Sequence, residues 1–324
     1  MNANMTAAEL TEHPAQIPQA LDNPFPYGPE VEASKSAPYS SKKSALAFFL
    51  QATGANDVKE LEAKSRSLQE EAYKLWPYPC IRRWSFLSTK NAEHPIYERI
   101  LKLGTESNAI FLELGCFFGT DSRRLTYDGW DPSRIVGTDL RPEWFEKGYE
   151  LFSDKSTCEI KFIPGDIFDS ALLPTSFESG SSATIDVETL KSLNSLAPLQ
   201  GHVRAMSAFS FFHLFEEQGQ FELAKRVATL ISPKKGSIIF GAHQGGIKKG
   251  SLSRANSHDP NATRFVHSPE SWVDMWETEI FPSSRDSSVS DGSIRVKATA
   301  KLVERSGPIQ PNSTSTMGWI IEVL

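Results

Sequence analysis

Three short apolar runs, each closing on a carboxylate, constrain this chain more than any other feature. The first, Ile110-Phe111-Leu112-Glu113-Leu114, runs into Gly115-Cys116-Phe117-Phe118-Gly119-Thr120-Asp121, which reads as a strand, a tight glycine loop and a helix start. Ile135-Val136-Gly137-Thr138 ends on Asp139-Leu140, and Ile160-Lys161-Phe162-Ile163-Pro164-Gly165 ends on Asp166-Ile167. Glu113, Asp139 and Asp166 stand 26 and 27 residues apart. That spacing suits one strand plus one crossover helix, so the strands are expected to be parallel neighbours. An open α/β sheet binds its ligand beyond the C-terminal ends of its strands. Three carboxylates therefore reach the one edge where such a sheet does chemistry.

The remaining elements arrange around that edge. Residues 1–40 carry Pro14, Pro18, Pro24, Pro26, Pro29 and Pro38 among Ser, Asn and Ala, and are expected to form a disordered tail. A helical cap is expected over 41–104. It starts with a short apolar helix at 44–51, and Asp57 with Glu60 reads as a capping box opening a longer one. Val58, Leu61, Ser65, Leu68, Ala72 and Leu75 give that helix one stripe, suited to core packing, to a lid or to a dimer contact. Tyr78 to Leu87 reads as an ordered aromatic loop, and Pro95 to Leu103, closed by Gly104, as a short helix.

A single domain is expected over 105–324. Strands at 110–114, 135–139 and 159–163 alternate with helices at 120–128 and 142–152. The Ser- and Thr-rich residues 170–200 read as a surface insertion. A fourth strand at 203–207, a helix over 209–231, a fifth strand at 237–242 and a helix from Ser268 through Trp276 follow. Residues 294–303 and 318–324 suit an antiparallel closing pair. The expected fold is α/β and Rossmann-like, with a seven-stranded, mostly parallel sheet and helices on both faces.

Composition narrows the function. With a net charge of −6 and no Lys/Arg cluster longer than a pair, long nucleic acid is not an expected partner. Cys80, Cys116 and Cys158 are far apart and odd in number, which favours free thiols and gives no zinc spacing. No metal site is expected. No apolar run approaches the roughly 18 residues of a membrane span. The first residues lack the basic-then-apolar pattern of a signal peptide, so the expected place is the cytoplasm.

S-adenosylmethionine (SAM) fits the acid-tipped edge. It joins a zwitterionic amino acid to adenosine through a sulfonium, so its site needs close backbone approach, an acceptor for the ribose hydroxyls and a polar group near adenine. Gly115 and Gly119 supply the first. Asp139 is placed for the second, and Asp166 for the third, with Leu140 and Ile167 as apolar walls. Glu113 orients the loop or meets the methionine amino group. A nicotinamide-binding domain would show G-x-G-x-x-G, whereas this loop reads G-x-x-x-G with Phe117 in the middle.

The segments FLELGCFFGTDSRRLTYDG, VGTDLRPEWFEKGYELF, AFSFFHLFEEQGQFELAKRVATLISPKKGSIIFGAHQGG and HSPESWVDMWE resemble the fungal class I SAM-dependent methyltransferases of meroterpenoid biosynthesis. The resemblance runs over about residues 70–324. It implies a class I methyltransferase sheet, SAM contacts at Asp139-Leu140 and Asp166-Ile167, and methylation of the carboxyl of a prenylated aromatic polyketide acid.

On the acceptor side, His213 and His243 follow the fourth and fifth strands and are the expected substrate contacts. His213 is also a weak candidate for a catalytic base. A carboxylic acid is already ionised at neutral pH and needs no base. A phenol, nitrogen or carbon acceptor would need one. His267 reads as a helix-start residue. Arg82, Arg83 and Arg254 are candidate partners for an anionic substrate, and Trp84, Phe86, Phe117, Phe118, Trp272 and Trp276 candidate pocket walls. A non-catalytic SAM-binding partner of a second methyltransferase stays open as an alternative.

Overall fold

The computed structural model of the chain describes residues 43–106, 108–175, 184–253, 263–285, 293–303 and 313–324. The expected tail at 1–40 and Arg254 lie outside the described residues.

Among the described residues, five α-helices precede the sheet: α1 (Lys43–Thr53), α2 (Val58–Leu75), α3 (Pro79–Arg82), α4 (Lys90–Glu93) and α5 (Tyr97–Gly104). At the start of α2 the Asp57 carboxylate accepts the Glu60 N–H at 2.9 Å, a standard cap. The reciprocal bond is shifted by one residue, since the Glu60 carboxylate accepts the N–H of Asn56. The expected α2 stripe departs at its end. Leu75 is 48% exposed, while Gln69 and Tyr73 are buried. The Gln69 side-chain amide donates to the carbonyls of Ile81 and Arg82, at 3.0 and 3.1 Å. Those bonds help hold 79–87 as two helical turns, α3 and a 3-10 turn at Ser85–Leu87, where an aromatic loop was expected.

The α/β series follows as β1 (Ile110–Leu114), α6 (Thr120–Tyr127), β2 (Ile135–Asp139), α7 (Pro142–Phe152) and β3 (Lys161–Pro164). Then come α8 (Val187–Ser192), β4 (Val203–Phe209), α9 (Glu217–Leu230), β5 (Ile238–Gly245), a hairpin of β6 (Gly250–Ser253) and β7 (Thr263–Val266), α10 (Pro269–Asp274), β8 (Val296–Val303) and β9 (Ser315–Val323). The seven-stranded sheet has the order β3-β2-β1-β4-β5-β9-β8. β1 to β5 are parallel in it, and β9 runs antiparallel to both of its neighbours. This is the class I methyltransferase arrangement expected from the three acid-tipped strands and the closing pair.

Alternate residues of β1 point to opposite faces, and both faces are covered. Ile110, Leu112 and Leu114 join Met206, Ile239 and Trp319 under α8, α9 and α10. Phe111 joins Ile135, Ala205 and Phe240 against α5 and α6. Each such fully buried side chain contributes about 1.5–3 kcal/mol of hydrophobic stabilisation. A third cluster joins α1 and α2 to α7 through Phe48, Phe49, Leu68, Trp144, Leu151 and Phe152, and takes in Phe118 of the glycine loop.

Two expected segments read differently in the structure. Residues 170–200 are not a surface insertion over their described part, because Leu172, Leu173, Leu190, Leu193, Leu196 and Leu199 are all buried in the core. Their Ser and Thr neighbours hid leucines recurring at every third position. The helix expected over 209–231 begins only at Glu217. Ser210 takes a left-handed φ of 54° and turns the chain, so Phe212–Leu214 form a 3-10 turn instead. The β6–β7 hairpin was not foreseen.

Helix α7 is seated on the glycine loop at Gly148, where a Cβ would lie 2.3 Å from the Phe118 carbonyl oxygen. Gly148→Ala is expected to destabilise the fold by about 1–3 kcal/mol through overpacking, read as a lower urea midpoint at unchanged slope.

Candidate functional site

The loop between β1 and α6 turns through three left-handed residues: Gly115 (φ 64°), Phe117 (φ 53°) and Gly119 (φ 67°). Phe117 thus keeps the path a glycine would take. Its ring lies 4.3 Å from that of Phe118, stacked, and 4.9 Å from that of Trp144. Contacts of three side chains, Asp139, Glu113 and Arg123, hold the loop. The Phe117 N–H donates to the Asp139 carboxylate at 2.9 Å. The Glu113 carboxylate accepts the Ser122 N–H at 3.0 Å, capping the first turn of α6. Arg123, buried, donates to the Phe118 carbonyl at 2.7 Å while its Nε pairs with Asp154 at 2.7 Å.

Asp139 ends β2, and the Gly165 N–H donates to its carbonyl at 3.0 Å, bringing Asp166 to the neighbouring tip. The Asp166 carboxylate accepts the Phe168 N–H at 2.9 Å, which orders that turn. Leu140 is 45% exposed beside these acids, whereas Ile167 is buried in the core. Of the two expected apolar walls, only Leu140 stays open.

Burial raises the proton affinity of Asp139, Glu113 and Asp121. For Asp139 it pushes the carboxyl up to about 6, against the lowering effect of the Phe117 N–H. Glu113 and Asp121 are both raised, first by burial, and Glu113 further by the negative charge of Asp121; the Lys90 ammonium opposes both.

The segment after the N-terminal helices, within the expected cap, borders this edge. Ser85, Phe86, Ser88 and Lys90 line one cavity with Glu113, Gly115, Asp121 and Phe209. The Thr120 hydroxyl donates to the Phe86 carbonyl at 2.6 Å, and the Asn91 N–H to the Asp121 carboxylate at 2.8 Å. On the Leu140 side, the Arg141 guanidinium lies 3.6 Å from the centre of the Trp76 ring. Burial pushes the Tyr78 hydroxyl up to about 12, opposed by its hydrogen bond to Arg141.

The expected aromatic wall divides in two. Trp84, Phe86, Phe117 and Phe118 belong with the N-terminal helices. Trp272 and Trp276 belong to the other face, with Phe212, Met317 and Trp319. His243 lies in that second group, 3% exposed, its ring 4.6 Å from Trp272 and 5.9 Å from Phe212. His213 is half-buried on the 3-10 turn, and burial, with the nearby His213 adding to it, lowers the pKa of His243. His267 is buried at the start of α10, 2.9 Å from the Ser271 hydroxyl, as its helix-start reading implied. Arg83 is exposed, and Arg82 packs 4.8 Å from the Tyr73 ring among the N-terminal helices.

A family model described as "Meroterpenoid methyltransferase N-terminal domain" matches residues 36–87. Over 219 residues the chain is 31% identical to the Asnovolin E/Chermesin D methyltransferase nvfJ of Aspergillus novofumigatus, covering 68% of this chain and 70% of that protein. The chain belongs to the fungal meroterpenoid methyltransferases. It is also 32% identical over 212 residues to the O-methyltransferase phiE of Fungal sp. (strain ATCC 74256), where the match covers 65% of this chain and 63% of phiE. The resemblance read over 70–324 thus extends to the N-terminal helices. Among solved structures, the N-terminal domain of EvdMO1 with SAH bound aligns over 80% of the chain at a TM-score of 0.44 and 15% identity.

The cofactor of these methyltransferases is SAM, and the residues fit it. A Cβ on Gly115 would strike the Phe211 ring at 2.8 Å, so only glycine leaves the loop this close to β4. A carboxylate at the end of β2 is the right acceptor for ribose hydroxyls. Asp139→Asn keeps an oxygen for the Phe117 N–H but loses the charge. It is expected to weaken S-adenosylhomocysteine binding by about ten- to hundredfold, measured by calorimetry. Since the ionised acid is the acceptor, wild-type binding is expected to hold above pH 6 and weaken as pH falls through about 6, a dependence the Asn variant loses.

Proposed function

We propose that this chain transfers the methyl group of SAM to a carboxylate oxygen of a prenylated aromatic polyketide acid, a small secondary metabolite. The observation that carries the reading is the wall beside the tips of β4 and β5. Phe212, Trp272, Trp276 and Trp319 pack there in the core, and the imidazoles beside them are held neutral. Burial lowers His267 to about 4 and His243 well below its ordinary value. Large apolar rings with sparse neutral nitrogens suit a prenylated ring better than a sugar or a nucleotide.

Bound SAM supplies a methyl group made electrophilic by its sulfonium. Glu113, Gly115 and Gly119 shape the loop at its methionine end, where Lys90 and the serines at 85 and 88 suit its carboxylate. Asp139 accepts from the ribose, and Asp166 with Leu140 meets the adenine. His213 and His243 face the acceptor. An ionised acceptor needs no base, so the work left to these residues is to hold one oxygen in line with the methyl group and to exclude water. The same reading places the enzyme in the cytoplasm, acting on a small molecule without nucleic-acid or membrane partners. Among the described residues no helix is long and apolar enough to cross a membrane. The cap helices then serve as a lid or as a homodimer contact.

The test is transfer of labelled methyl to a panel of prenylated and unprenylated aromatic acids, followed by mild alkali. Base-labile label is the expected outcome, as for a methyl ester. Base-stable label would move the acceptor to a phenol, nitrogen or carbon and make His213 the candidate base.

A further inference from the structure

We infer that His243 is a hydrogen-bond donor to the acceptor's carboxylate, locked in that role by Trp319, and that it does not serve as a base. The inference rests on the carboxylate reading above. An indole N–H can only donate, and the Trp319 Nε1–H donates to His243 Nδ1 at 2.8 Å. Nδ1 therefore carries a lone pair. Burial, with the charges of His213 and His267 adding to it, keeps the ring neutral, so its one proton sits on Nε2. That Nε2 is buried and has no hydrogen-bond partner among the described residues. A buried donor without an acceptor is costly and rare in a native fold, and is accounted for when a ligand oxygen completes it.

Register puts this donor level with the cofactor loop. Leu114 pairs with Ala208 and Ala208 with Gly241, and the Ser210 N–H donates to the Ala242 carbonyl at 2.7 Å. His243 thus stands two residues past that row on β5, as Cys116 does on β1. Two strand spacings, about 10 Å, separate them. Phe212, which packs on His243, follows directly on Phe211, the ring over Gly115. A carboxylate lying between would accept from Nε2 with one oxygen and leave the other free to attack. Trp319 is a positioning residue, since it acts only through the tautomer it imposes.

The experiment is nitrogen-15 NMR of the histidine-labelled full chain with S-adenosylhomocysteine, titrated with 4-hydroxy-3-prenylbenzoate, and with 2-prenylphenol as the control lacking a carboxylate. The expected result is an unprotonated Nδ1 and protonated Nε2 at His243 before addition, and a shift of the Nε2–H resonance with the benzoate only. His243→Phe is expected to weaken benzoate binding by about ten- to hundredfold with S-adenosylhomocysteine binding unchanged, and His243→Gln to recover part of it. Trp319→Phe is expected to yield mixed tautomers at His243 and about tenfold weaker benzoate binding. A proton on Nδ1, or benzoate binding that leaves the His243 resonance unmoved, would overturn the role while sparing the carboxylate reading. Failure of the wild type to bind the benzoate while binding the phenol would overturn both.

Discussion

The bond from the Phe117 N–H to the Asp139 carboxylate is the contact on which the rest of this site depends. It holds the middle of the glycine loop to the tip of β2, and it does so through a left-handed phenylalanine. That backbone costs a non-glycine residue about 1–2 kcal/mol. The stacking of Phe117 on Phe118 and its edge contact with Trp144 offset the strain. Glu113 and Arg123 fix the two ends of the same loop, one through the first turn of α6 and the other through its carbonyls. Two strands and two helices thereby agree on one loop path.

The same rings tie the N-terminal helices to the glycine loop. Phe118 and Trp144 sit in one cluster with α1 and α2, so the loop also forms the floor of the cap. Thr120 and Asp121, in the first turn of α6, bond to backbone groups at Phe86 and Asn91. Order in the cap and order in the loop are therefore coupled by direct contacts. The family match over 36–87 covers much of the segment that closes over the loop.

Burial governs the electrostatics of the sheet edge. Asp139 has a raised pKa, so its contribution to stability is full below its ordinary 3.8 and is lost as pH rises through about 6. His94 and His267 have lowered pKa values near 4, so theirs is full above the ordinary 6.5 and is lost as pH falls through about 4. The two sets oppose each other across the same range. At neutral pH the two histidines are therefore uncharged while Asp139 is ionised.

The sequence by itself determined the sheet edge. Strand, acid, glycine loop and helix are local patterns, and apolar periodicity with three acids at even spacing places β1, β2, the loop and α7 without any knowledge of packing. Asp139 and Asp166 follow from the same pattern. What only the tertiary structure decided depends on residues far apart in the chain. Leucines at 190, 193, 196 and 199 are core because α8 and the turns around it tuck under the sheet, a fact their polar neighbours concealed. Lys90 and the serines at 85 and 88 reach the cavity beside the glycine loop only because two buried hydrogen bonds tie their segment to α6. His243 was legible as a histidine after a strand, but not its tautomer. That depends on an indole 76 residues away, brought beside it by antiparallel pairing of β9 with β5, and no local pattern encodes which partner a strand will find.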